Sequence, residues 1–425
     1  SDLPPAIIHL KDTCGSFAFD YQSIYSPAGL NPDNTGVIGL DDFDSSWGIW
    51  GHNLRKVLGA NTEKVYATIN GKANDSQLCF SSGEMFRLIE SYITDNFGEK
   101  GKFRFVIAPD DTPYACTCPS CTAIGNTEKN ATPAVTELIL RLSQRFPRHF
   151  FFTTSYLTTQ QVTDKQLPPN AGVIVSAINF PLRRIDGKDA KEKAFAGQLE
   201  QWKNVTKNIY IWDYINNFDD YLTPMPILKI ARQRLQFFKQ HGASGIFFNG
   251  SGYSYSSFDE MRTFVLSALL INPELSVDNL TASFFNQEYP AAKKWLYDYY
   301  TDLENGTQSG KRLGIYASIR ESEKAYLTPE KFIKFYDEMN DFVSNAKGKE
   351  RKKLHELQTA LSYTRMEMGR EHSFDAYGYA KRNGKSLQPI PQVQEWLTQL
   401  KEHKAFTGME YYNESSDEIG NYIKE

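Results

Sequence analysis

Short apolar runs alternate with amphipathic segments through most of this 425-residue chain, and this alternation restricts the fold more than any other feature. A run that is apolar throughout is typical of a strand buried on both faces of a parallel sheet, whereas apolar residues spaced three and four apart indicate helices. We predict strands at residues 17–25, 65–69, 77–80, 103–108, 150–156, 172–177, 208–214 and 244–249. The strands at residues 65–69 and 77–80 are predicted to form a hairpin, because Asn70-Gly71 is the strongest short turn signal. We predict helices at residues 83–97, 133–146, 190–205, 228–241 and 258–271.

This order of elements belongs to the α/β class, in which helices follow parallel strands. With about seven or eight strands, it favours a (β/α)8 TIM-like barrel over an open doubly wound sheet, because the chain lacks a glycine-rich phosphate loop. Past roughly residue 273 the strand signals end, and helical spacing appears at residues 291–303, 313–325, 329–346 and 350–372. We therefore predict a barrel domain at residues 1–290 and an α-helical C-terminal region at residues 291–425.

Two adjacent acids, Asp110 and Asp111, follow the predicted strand at residues 103–108. Pro109 cannot donate a hydrogen bond to a sheet, so it ends the strand just before them. In a barrel of parallel strands the C-terminal strand ends carry the chemistry, although two aspartates can also simply open a turn. A barrel would bring five strand-end residues to one face: Asp110, Tyr156, Asn179, Asp213 and Asn249.

Charge and aromatic content narrow the class of ligand. The formal net charge of −4 gives no electrostatic basis for binding nucleic acid or an acidic membrane surface. No apolar run reaches the ~18 residues that a membrane span needs. The 28 Phe, 24 Tyr and 6 Trp suit stacking against sugars as well as a large core. The segment from Trp47 to Asn53, with two tryptophans and His52 among glycines, predicts either the wall of a sugar-binding cleft or a helix start that packs inward.

Three cysteines, Cys116, Cys118 and Cys121, lie in the loop directly after the acid pair, with Cys14 and Cys79 elsewhere in the chain. A C-x-C-x-x-C loop can bind zinc, but a closed structural site usually needs four ligands, and Cys79 is the candidate for the fourth. The alternative is a disulfide in an exported protein, for example between this loop and Cys79. We favour the disulfide, expect a buried tether close to the cleft in either case, and predict no catalytic metal or cofactor.

Four motifs occur in one order: Trp47-Gly-Ile-Trp-Gly-His52, Tyr114-Ala-Cys-Thr-Cys-Pro-Ser-Cys121, Trp212-Asp-Tyr214 with Asn217-Phe218, and Gly245-Ile-Phe-Phe248. In this combination the chain resembles the DUF4838 family, a domain of unknown function, over residues 17–292. That family is abundant in glycan-degrading gut Bacteroidetes. It overlaps glycoside hydrolase family 163, endo-acting β-N-acetylglucosaminidases on complex N-glycans.

The resemblance implies a retaining glycoside hydrolase for N-acetylhexosamine-containing glycans, in which the substrate's own acetamide is the nucleophile. It implies that Asp110 and Asp111 are catalytic, one orienting the acetamide and the other protonating the leaving oxygen. The residues expected to bind the sugar are His52, Tyr156, Trp212, Asp213, Tyr214 and Asn249. The alternative is a glycan-binding protein that keeps the barrel without activity, and a cleft blocked by the loop at residues 26–44 would favour it.

We expect the protein to be exported to the periplasm, the cell surface or the medium. The chain shows no secretory signal at Ser1 and begins as a processed product would. A glycan substrate is the expected partner, and the sequence makes no prediction of the oligomeric state.

Overall fold

The computed structural model of the protein describes residues 17–424, so Cys14 lies outside the described residues. The strands are β1 (Tyr21–Tyr25), β2 (Trp47–Ile49), β3 (Tyr66–Ile69), β4 (Lys72–Leu78), β5 (Arg104–Val106), β6 (Phe150–Ser155), β7 (Ala171–Ser176), β8 (Asn208–Tyr214), β9 (Gly245–Asn249), β10 (Ala380–Asn383) and β11 (Ser386–Pro389). The α-helices are α1 (Pro27–Leu30), α2 (Pro32–Thr35), α3 (Phe43–Ser46), α4 (Leu54–Leu58), α5 (Gly83–Phe97), α6 (Pro119–Ile124), α7 (Thr132–Arg145), α8 (Ala190–Lys203), α9 (Leu228–Gln240), α10 (Asp259–Ile271), α11 (Val277–Glu288), α12 (Lys293–Thr307), α13 (Ile319–Ala325), α14 (Pro329–Asn345), α15 (Gly348–His372), α16 (Gln392–Thr407) and α17 (Ile419–Tyr422).

Seven strands form one wholly parallel sheet in the order β1-β9-β8-β7-β6-β5-β2. The sheet is curled, as a contact between its two edge strands shows. Nε1 of Trp47 on β2 donates a 2.7 Å hydrogen bond to the hydroxyl of Tyr21 on β1. Within residues 17–424 no backbone ladder joins these two strands. The α/β class and a barrel-like parallel sheet are confirmed, whereas the complete eight-stranded barrel is not.

Alternate residues of the strands fill the inside of the curled sheet, as the two-residue period of a strand requires. A single buried cluster takes one side chain from each of the seven strands: Tyr21, Trp47, Val106, Phe152, Ile174, Tyr210 and Phe247. The residues between them face the helices, where Val173, Ile211 and Ile246 share a core with Leu235 and Phe238 of α9. Each such side chain contributes about 1.5–3 kcal/mol on burial, so the two cores together hold the strand ends in place.

A separate antiparallel hairpin, β3–β4, is inserted between β2 and β5 in the chain and pairs with no strand of the main sheet. Its turn is Asn70-Gly71, and both residues have positive φ (51° and 74°), as the two-residue type I′ turn requires. The hairpin predicted from this dipeptide is therefore confirmed. Gln77 near the end of β4, and Cys79 just after it, reach the loop that follows β5.

Residues after 290 form helices α12 to α17 and the hairpin β10–β11. The buried carboxylate of Glu304 on α12 accepts the N–H groups of Leu228 and Lys229 at 2.8 and 2.9 Å, so it caps the start of α9. One hydrophobic cluster continues from α9 into α12, α14 and α15, and the domain boundary at residue 290 stays a prediction. Among residues 17–424, no helix combines the length and the apolarity that crossing a membrane demands.

Candidate active site

Asp110 and Asp111 follow β5 and have different neighbours. Two nitrogens of Arg55, on α4 next to β2, contact Oδ2 of Asp110 at 2.8 and 2.7 Å. Burial, and then the nearby Asp111 carboxylate, raises the pKa of Tyr156 at the end of β6, so Asp111 lies close to the Tyr156 hydroxyl. The two carboxylates therefore have different surroundings along the sheet edge. Because all seven strands are parallel, this is the same edge at which β7, β8 and β9 end.

The backbone of Asp110 is held by the β3–β4 hairpin. The buried side chain of Gln77 accepts the N–H of Asp110 at 3.0 Å and donates to its carbonyl oxygen at 3.2 Å. The same Gln77 nitrogen donates to the hydroxyl of Thr112 at 3.0 Å. Breaking either hydrogen bond would leave a buried polar group of Gln77 without a partner, which costs free energy. Gln77 therefore fixes the position of Asp110.

His52 lies against the turn that precedes the acids. Its Nδ1 contacts the carbonyl oxygen of Pro109. A carbonyl oxygen only accepts hydrogen bonds, so Nδ1 carries the hydrogen and, in a neutral ring, Nε2 is an acceptor. The ring centroid of His52 is 6.1 Å from that of Tyr156, which places the histidine beside the acid pair.

Two tyrosines and an asparagine continue the polar edge beyond Asp111. The hydroxyl of Tyr214 lies 3.3 Å from the hydroxyl of Ser176 on the neighbouring strand, and Asn249 is the register partner of Tyr214 on β9. Burial raises the pKa of Tyr214. Burial, with a contribution from the Asp111 carboxylate, raises the pKa of Tyr156. Both phenols therefore stay protonated at neutral pH and can donate hydrogen bonds.

Aromatic rings form the floor between these polar groups. Trp50 stacks on Trp212 of β8 with ring centroids 4.9 Å apart, and its ring lies 4.3 Å from that of Phe247. A half-buried apolar ring beside hydrogen-bonding groups suits contact with the apolar face of a sugar. Trp47 packs inside the sheet instead. The cleft interpretation of this segment therefore fits Trp50 and the inward-packing one fits Trp47, in a segment that begins as a strand rather than a helix.

Asp213 does not belong to this group, and its assignment to sugar binding is wrong. Trp212 and Tyr214 face the inside of the sheet, so the alternation of a strand sends Asp213 outward to the helices. There Nε of Arg234 on α9 donates to Oδ2 of Asp213 at 2.8 Å, a second Arg234 nitrogen donates to Oδ1, and both side chains are 1% exposed. Asp213 is one half of a buried ion pair.

The loop at residues 26–44 covers part of the edge. Phe43 packs against Trp50 and Phe247, with ring centroids 5.2 and 5.5 Å apart, which closes the side near β1 and β9. Asp111 stays exposed, and Trp212 is half-buried. The loop therefore restricts the cleft without covering the acid pair.

Three polar residues of this region are absent from the predicted set: Arg55, Gln77 and Ser176. Arg55 could have been predicted, because it lies three residues after His52 on the helix that directly follows the predicted cleft segment. Gln77 and Ser176 carry no such signal, because each is a single polar residue whose partner lies on another element.

The predicted disulfide between Cys79 and the loop after the acid pair is not formed. Cys79, Cys116, Cys118 and Cys121 are all free thiols. The sulfur of Cys79 lies 3.7 Å from that of Cys118 and 3.8 Å from that of Cys121, whereas a disulfide bond is about 2.05 Å long. The expected proximity of Cys79 to the loop is confirmed, but the bond is not.

No curated protein matches the chain, whereas solved structures do. The chain is similar to a mutant of the Thermobaculum terrenum O-GlcNAc hydrolase, with a TM-score of 0.39 and 14% identity over 82% of this chain and 75% of that one. It is also similar to a GH138 enzyme targeting pectin rhamnogalacturonan II, with a TM-score of 0.39 and 9% identity over 94% of this chain and 63% of that one.

The match to a family is more direct. The sequence model of a domain of unknown function, DUF4838, matches residues 52–302, a span that begins at His52 and includes both aspartates, Tyr156 and the β8 and β9 strand ends. The span covers more than half of the chain. The protein therefore belongs to the DUF4838 family.

Proposed function

We propose that the protein is a retaining glycoside hydrolase that acts on N-acetylhexosamine-containing glycans with the help of the substrate's acetamide. The observation that carries this proposal is the acid pair itself, in which Arg55 binds Asp110 and Asp111 lies close to Tyr156. Substrate-assisted hydrolysis needs two carboxylates with different tasks rather than one carboxylate nucleophile. Two acids on successive residues with different surroundings, one bound by Arg55 and the other exposed beside Tyr156, meet that need.

Asp110 suits the task of orienting the acetamide. Its side chain is 15% exposed, and both Arg55 contacts end on Oδ2, so Oδ1 is the oxygen that would accept the acetamide N–H. Charge-assisted contacts to Arg55 and the Gln77 bonds to the backbone hold this acceptor still. The acetamide oxygen would then attack the anomeric carbon while the proton of the acetamide N–H passes to Asp110. This would give a cyclic oxazoline as the bond to the leaving oxygen breaks.

Asp111 suits the task of general acid and base. It is exposed and would donate its proton to the leaving oxygen in the first step. In the second step it would take a proton from the water that attacks the anomeric carbon, while Asp110 returns its proton as the oxazoline opens. Two inversions at one carbon give retention. Tyr156 would hold the Asp111 carboxylate in place through both steps.

The remaining residues of the edge would bind the sugar. Trp50 and Trp212 offer a stacked aromatic surface, and His52, Tyr214 and Asn249 offer hydrogen-bonding groups beside it. Stacking and hydrogen bonds together place the anomeric carbon, which matters because a misplacement of about 1 Å can reduce the rate about 10²-fold.

The proposal is tested with two variants and two substrates. Asp111→Asn should reduce cleavage of a glycoside with a poor leaving group by about 10²–10⁴-fold, and should affect an activated aryl N-acetylglucosaminide much less, because that leaving group needs no proton. Asp110→Asn should slow both substrates, because it impairs the nucleophile. Asp95→Asn, an exposed acid on the outer helix α5, is the matched control and should leave both rates unchanged.

The role of the acetamide has its own test. An aryl glucoside that lacks the acetamide should not be cleaved, although its leaving group is the same. Equal rates for the aryl glucoside and the aryl N-acetylglucosaminide would contradict acetamide participation. Wild-type rates in both aspartate variants would show that the pair is structural.

A second candidate function is glycan binding without hydrolysis. The packing of Phe43 over Trp50 and Phe247 favours it, because this contact narrows the cleft on the β1 and β9 side. Saturable binding of an N-acetylhexosamine-containing glycan, with no cleavage of any glycan in a broad panel, would support this candidate over the hydrolase. Phe43→Ala should then widen the cleft and change which glycans bind.

A further inference from the structure

A group of four thiols lies between the β3–β4 hairpin and the loop that follows the acid pair. We call it the cysteine cluster: Cys79, Cys116, Cys118 and Cys121. Its four sulfur atoms lie within 4.8 Å of one another. Three of the residues are buried and Cys118 is partly buried. Side chains from two separate elements therefore converge on one point.

Two of the sulfur separations match those of a tetrahedral zinc site, and all of them are within 4.8 Å. A Zn–S bond is about 2.3 Å long, and four ligands at the corners of a tetrahedron then stand about 3.8 Å apart. The measured separations from Cys79 are 3.7 Å to Cys118 and 3.8 Å to Cys121. We propose that the cysteine cluster binds one zinc ion, which ties the loop after the acid pair to the β3–β4 hairpin.

Local structure prepares the sulfurs for a metal. The backbone N–H of Thr68 donates to the sulfur of Cys116 at 3.2 Å, and the N–H of Cys121 donates to the sulfur of Cys118 at 3.4 Å. The hydroxyl of Ser81 lies 3.0 Å from the sulfur of Cys121. Hydrogen bonds to metal-bound groups orient them and offset their charge. Thiolate is also the ligand type that selects zinc, and a tetrahedral set of four sulfurs is typical of zinc or iron–sulfur sites.

The alternatives explain less of this arrangement. A disulfide would use two of the four thiols and would need sulfurs about 2.05 Å apart. Free thiols can pack as small apolar side chains, but such packing requires neither four of them around one point nor N–H groups directed at two of the sulfurs. Four ligands also leave no open coordination position, so the zinc we propose is structural and takes no part in hydrolysis.

The proposed ion has a mechanical consequence for the loop. Cys79 lies two residues after Gln77, which holds the backbone of Asp110, and the N–H of Thr117 donates to the carbonyl oxygen of Thr68 at 2.8 Å. The β3–β4 hairpin therefore binds the loop at Asp110 and again at Thr117. The zinc would stabilise the second of these contacts. This inference is independent of the proposed reaction, because it concerns metal content and thiol chemistry.

The first test is the metal content of the purified full-length chain by plasma mass spectrometry. We expect one zinc per chain in the wild type and a fall below a tenth of that value in Cys116→Ser and in Cys121→Ser. The matched control is Cys14→Ser, which should keep one zinc because the four cluster thiols already complete a tetrahedral site. A wild type without stoichiometric zinc, or with stoichiometric iron instead, would overturn the assignment.

A second test needs no variant and therefore does not depend on the folding of one. The cluster thiols of the native wild type should resist a thiol reagent, and a strong chelator should make four more thiols reactive and lower the melting temperature. Added zinc should reverse both effects. Replacement by cobalt should give the intense visible absorption of a tetrahedral cobalt thiolate. Four thiols that react freely before chelation, or disulfides within the cluster found by mass spectrometry, would refute a zinc site.

Discussion

Replacing Asp213 by alanine should destabilise the protein strongly, because this carboxylate is the buried partner of Arg234. Both side chains are 1% exposed, and the carboxylate also accepts the backbone N–H of Tyr214 at 2.8 Å. Removing one partner of a buried pair leaves an uncompensated charge and typically costs about 3–5 kcal/mol. Arg234 keeps the carbonyl oxygens of Phe180 and Pro181 as acceptors at 3.3 and 2.9 Å. We therefore expect a loss near the lower end, about 3 kcal/mol.

The assay is equilibrium unfolding in urea, followed by tryptophan fluorescence and by circular dichroism. The double variant Asp213→Leu with Arg234→Met should recover most of the lost free energy of unfolding, since apolar replacement of a buried pair is often neutral or stabilising. Asp111→Ala is the matched control, an exposed aspartate whose removal should change stability by no more than about 0.5 kcal/mol.

Three results would refute this reasoning about Asp213. The first is a single variant that loses less than about 1 kcal/mol, far below the cost of an unpaired buried charge. The second is a double variant no more stable than Asp213→Ala. The third is a stable Asp213→Ala protein that has lost glycan binding, which would return Asp213 to the sugar site.

Two further predictions concern packing and pH. In Gly172→Ala, the new Cβ would stand 2.3 Å from the Asn208 carbonyl oxygen, so we expect a lower melting temperature and a loss of about 1–3 kcal/mol, whereas Gly197→Ala on α8 has open space and should not destabilise. Burial lowers the pKa of His403 from 6.5 to about 4, so the folded state has its full stability above pH 6.5 and loses part of it as the pH falls from 6.5 to about 4. Between pH 7 and pH 4, His403→Phe should therefore gain about 3 kcal/mol relative to wild type in urea unfolding, and an unchanged difference would contradict the burial argument.

The parts of the fold that depend on local pattern were predictable from sequence. Strand β8 and helix α5 begin and end where their periodicity does, and the Asn70-Gly71 turn gave the hairpin. The hairpin β10–β11 was not predicted, because its strands are exposed and polar and have no apolar alternation. The number of strands in the sheet could not be predicted from local sequence pattern either, because it depends on how the edge strands meet rather than on any one segment.

The candidate site was predictable only for residues whose position follows from a strand end. Asp110 and Tyr156 follow β5 and β6, so parallel strands bring them together. The alternation along β8 places Asp213 on the opposite face from Trp212 and Tyr214, so the sequence did carry a signal against its assignment to the sugar site. Arg55 could not be paired with Asp110 in the same way, because they are 55 positions apart and the segment between them includes the β3–β4 hairpin and α5.

That hairpin explains how an acid pair at an open sheet edge can still be well positioned. It adds nothing to the main sheet, yet its contacts converge on the loop after β5. Gln77 binds both backbone groups of Asp110, while Thr68 accepts the N–H of Thr117 and donates its own N–H to the sulfur of Cys116. A loop that starts with two aspartates and is otherwise open to water would sample many positions. The contacts of Gln77 and Thr68 at the two ends of the loop restrict that motion without covering the carboxylates, because the hairpin lies outside the cleft. We infer that the insertion between β2 and β5 holds this loop in place, since the proposed reaction would require the acids to be positioned to within a fraction of an ångström.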